Sequence, residues 1–163
     1  MEVGTELSES LPLMKSSKRG SNRIHIRAAK TTDAPRLAML LDELGYPTKI
    51  TDLKRRVANV ISDPGHALYV AERRAILGVI HLAIMQSLGT GTFVEIVGLV
   101  VSEKHRGKSV GSQLVSRGER WAIENGCRRM RVRTNVLRKE ARVFYDKIGY
   151  EAKKTQEVFD KVL

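Results

Sequence analysis

The stretch Phe93 to Val115, FVEIVGLVVSEKHRGKSVGSQLV, runs from an apolar segment through a glycine-containing turn into a segment with helical periodicity. A strand followed by a tight turn and a helix start presents consecutive backbone amides without intrahelical acceptors. The helix dipole there favours an anion by roughly 0.3–1 kcal/mol. Arg106 and Lys108 add positive charge, so the turn is suited to phosphate. Two registers compete for it. A triphosphate loop needs G-x-x-x-x-G-K-[ST], and counting back from Gly107 puts its first glycine at Ser102, where the pattern fails. Counted from Arg106 instead, RGKSVG is a backbone cradle for a diphosphate.

The flanking segments place this turn in a mixed α/β layout. IHIRAA (24–29) alternates like a short strand, and TTDAPRLAMLLDELG follows with a cap, an early Pro and a closing Gly45. Leu37, Leu40, Leu41 and Leu44 share one face of that helix. Residues 49–62 repeat the pattern through Leu53, Val57, Val60 and Ile61 before SDPGH ends it. ALYVAE and AILGVIHLAIM are β-type runs, and short connections to each other and to the strand before the turn favour antiparallel neighbours. Beyond the turn, 109–125 form a helix lined by Val110, Leu114, Trp121 and Ala122 and capped at Asn125-Gly126. CRRMRVRT then reads as a strand with Met130 and Val132 inward and a basic exposed edge of Arg129, Arg131 and Arg133. RKEARVFYDKIG is the last helix, with short strands expected over 150–155 and 157–163. The order predicts a single domain over 24–163, its sheet antiparallel at the centre with a parallel addition, preceded by a flexible tail over 1–23.

Composition narrows the partners. Lys+Arg 29 against Asp+Glu 18 gives a net charge of +11, which favours a polyanionic ligand. Aromatic residues at 5% give no stacking platform for single-stranded nucleic acid. One cysteine excludes an internal disulfide and, with four scattered histidines, argues against a metal site. No apolar stretch reaches the roughly 18 residues of a membrane span, so no membrane association is expected, and the lone Cys127 points to a reducing cytoplasm.

Two separated motifs resemble one family. FVEIVGLVVSEKHRGKSVGSQLV carries the signature Q/R-x-x-G-x-G/A on Arg106 to Gly111, and ARVFYDKIGY matches a late-helix form A-x-x-F-Y-x-K-x-G-F/Y. Together they resemble the GCN5-related N-acetyltransferases (GNAT) over roughly residues 24–163. The resemblance implies an α+β fold of three layers, α/β/α, with a mostly antiparallel mixed sheet flanked by helices. It implies transfer of the acetyl group of acetyl-CoA to a primary amine, most readily that of a small molecule, aminoglycosides among them, and it allows a homodimer. The cofactor cradle would be Arg106, Gly107, Lys108, Ser109, Val110, Gly111 and Ser112. The main chain of Leu99, Val100 and Val101 would face the pantetheine arm. Ser109 stands where the family has its middle glycine; as a favoured helix cap it is expected to keep the site working. The family's cofactor-touching Asn, three residues before the motif Ala141, falls on Arg138, with Asn135 earlier. Either contacts the cofactor, or Asn135 starts the helix as a cap.

Acetyl transfer to an amine sets two proton problems, and two residues answer them. Glu95 lies in an apolar strand, where a carboxylate is costly unless partnered or used. It stands eleven residues before Arg106, the position from which a Glu acts as base, through water, in some members of the family. The alternatives are an edge-strand Glu facing solvent beside Gly91, or a carboxylate that anchors substrate. Tyr145 is the candidate acid, since a phenol stays protonated at neutral pH; alternatively its ring only packs the helix face. Phe144 is read as core and Tyr150 as structural. Gly98 interrupts the apolar run and marks a bulge. His81 either faces substrate or is a satisfied strand histidine, and Cys127 is small core. Asp42 and Glu43 are candidates to attract a cationic amine. Two rival functions are a basic nucleic-acid-binding module, resting on charge and the arginine edge, and a GNAT member that binds acyl-CoA without catalysis.

Overall fold

The computed structural model describes residues 23–163, so the expected N-terminal tail, Arg23 apart, lies outside the described residues. β1 (His25–Ala28) leads through a 3-10 turn (Thr31–Asp33) into α1 (Ala34–Glu43) and α2 (Ile50–Ser62). β2 (His66–Arg73), β3 (Ala75–Ser87) and β4 (Gly91–Val101) follow, then α3 (Val110–Glu124), β5 (Met130–Val132) and α4 (Lys139–Lys147). The sheet order is β1-β2-β3-β4-β5, antiparallel throughout except for β5, which lies parallel to β4.

Strand alternation sorts the core into two halves, one on each face. Tyr69, Ile80, Leu82, Val94 and Ile96 pack against Val110, Leu114, Val115 and Trp121 of α3. Val70, Val79 and Val100 pack on the other face against Leu37 and Leu40 of α1 and Leu53 and Val57 of α2. The result is the three-layer α/β/α arrangement that was expected. Gly126, at φ +75°, follows α3 in the left-handed position the Asn-Gly pair announces. A polar pin absent from the sequence reading closes the first corner. Arg27 on β1 donates to both carboxylate oxygens of buried Asp33 (2.8 and 3.0 Å) and to Glu72 on β2 (2.8 Å).

Three expectations need correction. No strand forms over 150–155 or 157–163; residues 151–163 are exposed and belong to no element. The apolar residues Val158, Phe159, Val162 and Leu163 recur at steps of one and three, so a period of two cannot bring them to one sheet face. β5 is three residues rather than the whole of CRRMRVRT, because Cys127 turns into the core behind α3. Ile61 faces solvent at the end of α2 instead of joining Leu53 and Val57.

Candidate active site

β4 carries the centre of the site. It pairs with β3 along its whole length, but with β5 only over Val94, Glu95 and Ile96. Beyond Ile96 the outer edge of β4 has no neighbouring strand among the described residues, leaving the outward backbone groups of Leu99 and the Val101 amide available to a guest; the Val100 carbonyl points to β3 instead, against the expectation that its main chain faces the cofactor, and the Val101 carbonyl accepts from Arg106. The departure coincides with a bulge: His81 opposes Gly98 and Leu82 opposes Ile96, so Val97 is the extra residue. Gly98 has open space where a Cβ would point. Its bareness therefore clears room outside the protein's own packing, as the sequence suggested.

The turn after β4 is built for an anion. Gly107 (φ +71°) and Ser109 (φ +61°) are both left-handed, and α3 begins at Val110 with its first-turn amides directed out of the helix end. The Arg106 guanidinium folds back to donate to the Val101 carbonyl (3.3 Å), and the Lys108 ammonium donates to the Lys104 carbonyl (2.9 Å). Both charges stay at the turn. Ser109 does not cap α3 with its side chain, so the capping expectation fails. It adopts the conformation of the glycine it replaces, and its carbonyl accepts from the Ser112 hydroxyl (3.0 Å). Gly111 serves the packing instead, since a Cβ there would lie 3.2 Å from the Phe144 ring. Its bareness lets α4 close on α3.

Glu95 points to the face of the sheet that carries α1 and α2. Its side chain is only 11% exposed, which removes the solvent-facing alternative. Oε2 lies 3.4 Å from the Arg133 guanidinium without hydrogen-bond geometry and has no other partner. A buried carboxylate oxygen left unbonded is costly unless a bound molecule completes it. His66, Ala83, Glu95 and Arg131 are successive partners across β2 to β5, so they form one row on this face. Of the arginine edge expected to face solvent, Arg129 and Arg133 are exposed and Arg131 is half-buried over the sheet. Arg129 and Arg131 lie over the Phe93 ring at 4.9 and 4.1 Å, Arg129 donates to the Thr90 carbonyl, and Arg133 meets Glu95.

Tyr145 is buried on α4 beside Phe144 and Tyr150, with ring centroids 5.0 and 5.5 Å away. Burial pushes its pKa up to about 12, and its hydroxyl has no hydrogen-bond partner among the described residues. Tyr150 is structural: its hydroxyl donates to Glu119 of α3 (3.4 Å), and burial raises its pKa further still.

Several side chains have other engagements. Asn135 is not the cap of α4, which is Arg138; its side chain accepts from the Leu137 amide (2.9 Å) in a local turn. Arg138 donates to the Leu44 carbonyl at the end of α1 (3.4 Å), tying the loop after β5 to the α1–α2 loop. Glu43 accepts from the Ser102 hydroxyl and the Glu103 amide, so it clasps the end of β4. The sequence reading missed that clasp, and nothing local in DELG signals it. Cys127 is buried, as expected.

A sheet splayed at a β4 bulge, a turn into α3 with outward amides and an unbonded buried carboxylate are the parts an acyl-CoA-type transferase site would use. Residues 34–150 match the model of the Acetyltransferase (GNAT) family, and the chain belongs to that family. Its members use acetyl-CoA as acyl donor.

Among curated relatives, the aminoalkylphosphonate N-acetyltransferase of Salmonella typhimurium is 31% identical over 95 residues, 58% of this chain. The match spans 62% of that relative's length. A solved structure described as a transcriptional regulator from Bacillus halodurans C-125 superposes with a TM-score of 0.74 at 25% identity, covering 85% of this chain and 100% of its own. AAC(6')-Iy, solved with the bisubstrate analogue CoA-S-monomethyl-acetylneamine, superposes at 0.77 with 18% identity, covering 86% of this chain and 99% of its own, a likeness of fold.

Proposed function

We propose that this chain transfers the acetyl group of acetyl-CoA to the primary amine of a small acceptor, with Glu95 as general base and Tyr145 as general acid. The observation that carries the reading is Glu95: buried, short of one hydrogen-bond partner, and placed where β4 parts from β5. The residues suit the donor. First-turn amides of α3 with Arg106, Gly107, Lys108, Ser109, Val110, Gly111 and Ser112 would hold its diphosphate, and the free β4 edge at Leu99 and Val101 would hold its amide-bearing arm. Acetyl-CoA supplies the activated acyl carbon.

The chain's own groups manage the protons. An amine with a pKa near 10.4 is free in roughly one molecule in two thousand at pH 7, an apparent cost of roughly 4–5 kcal/mol. Glu95 takes the amine proton at its unbonded Oε2, directly or through one water. Tyr145 keeps its proton at Oη across the physiological range, because burial holds its pKa near 12, and can give it to a departing sulfur. Asn135 and Arg138, occupied locally, remain candidates for contacts at the mouth of the site.

The acceptor is an amine that also carries an anionic group. Arg131 and Arg133 share the Glu95 face. The α1–α2 loop borders an open groove of about 490 Å³ lined in part by Tyr46, Thr48, Lys49 and Arg56, with one carboxylate, Asp52. Glu43, bound to Ser102 and Glu103, is not free to attract a cation, which disfavours the cationic acceptor suggested by the acidic residues of α1. The Salmonella relative's name specifies an aminoalkylphosphonate, which has this bipolar chemistry. The test is a thiol-release assay with acetyl-CoA against aminoalkylphosphonates, aminoglycosides and polyamines, alongside melting with and without coenzyme A. Release fastest with the phosphonates supports the reading; no melting shift and no release with any amine refutes it.

A further inference from the structure

We propose that His81 and His66 form the path by which the proton taken from the acceptor amine passes from Glu95 to solvent, an inference that rests on the acetyltransfer reading above. Each turnover leaves a proton on the base, and Glu95 is largely enclosed: Oε2 is buried beside Arg133, and the side chain is 11% exposed. A route outward must begin on its own face of the sheet. The cross-strand row places small Ala83 between His66 and Glu95, and His81 lies one step along β3 on the same face, opposite Gly98. His81 and Glu95 share that face across the β4 bulge, and the relay runs between them through water.

The two imidazoles are already joined. His66 Nδ1 and His81 Nε2 are 3.0 Å apart, and Asp63 Oδ2 stands 3.9 Å from His66 Nε2 at the outer end. Exposure rises along the route, from half-buried His81 to the His66 side chain at 33% and Asp63 at 55%. The step balances as a relay. A proton arrives at His81 Nδ1, the proton on His81 Nε2 moves to His66 Nδ1, and the proton on His66 Nε2 leaves to Asp63 or water. One proton enters, one departs, and both rings are left in the opposite tautomer, which exchange with water resets.

The charged groups around His81 favour transfer over storage. They are His66 on β2, Asp63 before it, Glu95 on β4, Arg131 on β5 and Arg133 beyond; α1 and α2 meet this face through leucine and valine. Burial and the neighbouring His66 charge lower the His81 pKa, which opposes a charge resting on the inner ring.

The test is steady-state kinetics of the full chain carrying His66→Gln or His81→Gln, with melting curves as a folding check. His66 is the more exposed of the two and is the safer variant if His81→Gln misfolds. His66→Gln is expected to lower kcat about 10- to 100-fold, up to the lower bound for a group that transfers the proton directly, while KM for acetyl-CoA holds. Added imidazole should restore the rate. The acidic limb of kcat should move to higher pH, because the His66 charge no longer opposes protonation of His81. A His66→Gln enzyme with wild-type kcat and pH profile, or a loss that imidazole does not repair, overturns the relay. A wild type that releases no thiol with any amine fails the acetyltransfer reading instead, and the two failures are distinct.

Discussion

Replacing Ser109 by Gly should stabilise the protein, although it removes a side chain from the proposed cofactor turn. Ser109 sits at φ +61°, ψ +9°, a conformation that brings Cβ against the backbone. For a residue with a Cβ this costs roughly 1–2 kcal/mol. Its side chain makes no capping bond in return; only its carbonyl is used, by Ser112 and Gln113. Glycine removes the strain but gives the unfolded chain more freedom, a loss of roughly 0.4–1 kcal/mol. The net gain is therefore about 0.5–1 kcal/mol, or about 1–4 °C in Tm for a domain of this size. Thermal melting and urea titration measure it, with isothermal titration of coenzyme A on both forms. Ser109→Val, β-branched at the same φ, is the control and should lower Tm. A Ser109→Gly protein that melts lower than wild type, or binds coenzyme A tenfold more weakly, would show that the hydroxyl contributes something the backbone geometry does not explain.

Three further outcomes follow from the same structure. Glu95→Gln should lower kcat/KM by about 100- to 10,000-fold, the range of a proton-transfer group, with partial recovery as pH rises and the amine deprotonates unaided; a rate within threefold of wild type at pH 7 would remove Glu95 as base. Tyr145→Phe should lower kcat by at least about tenfold, below the usual contribution of a general acid because a thiolate leaves readily, yet leave stability nearly unchanged, since the Tyr145 hydroxyl bonds no other group among the described residues. An equal loss of activity and stability would make Tyr145 a packing residue. Asp33→Asn should destabilise the fold by roughly 1.5–3 kcal/mol, the value of hydrogen bonds to charged groups. Arg27 holds the Asp33 carboxyl below its ordinary pKa, so this stability is present above the unfolded pKa of about 3.9 and is lost as pH falls through the lower folded value. Wild-type and Asp33→Asn stability measured by urea unfolding should differ most near neutral pH and converge in acid.

What could be read in advance follows from the range of each interaction. The β4–turn–α3 unit and the amphipathic faces of α1 and α3 are local patterns, and the chain states them in order. Gly98 announced its bulge because a bare residue in an apolar strand has few other uses. The Arg27–Asp33–Glu72 pin was illegible because Glu72 is forty-five residues from Arg27 and only the β1–β2 register brings them together. The Glu43 clasp on Ser102 and Glu103 has the same character. Periodicity says which residues face inward; it does not say which charged residues meet.

That limit explains the arginine edge. Residues 129, 131 and 133 read outward by alternation, and Arg129 and Arg133 are exposed accordingly, while alternation does not say what they touch. In a layered fold, however, each strand has two faces and neither is simply outside. The face away from α3 is the one Glu95 shares, and β5 is so short that its arginines reach across to Phe93 and Glu95. A charge pattern suited to nucleic acid thereby becomes a cationic wall beside a buried carboxylate. The excess of +11 suits a phosphorylated cofactor, and the register of three residues decides that part of it lies beside Glu95. Of the positive charge the proposed chemistry needs, the turn at Arg106 and Lys108 holds the donor's share, and Arg131 and Arg133 hold the acceptor's.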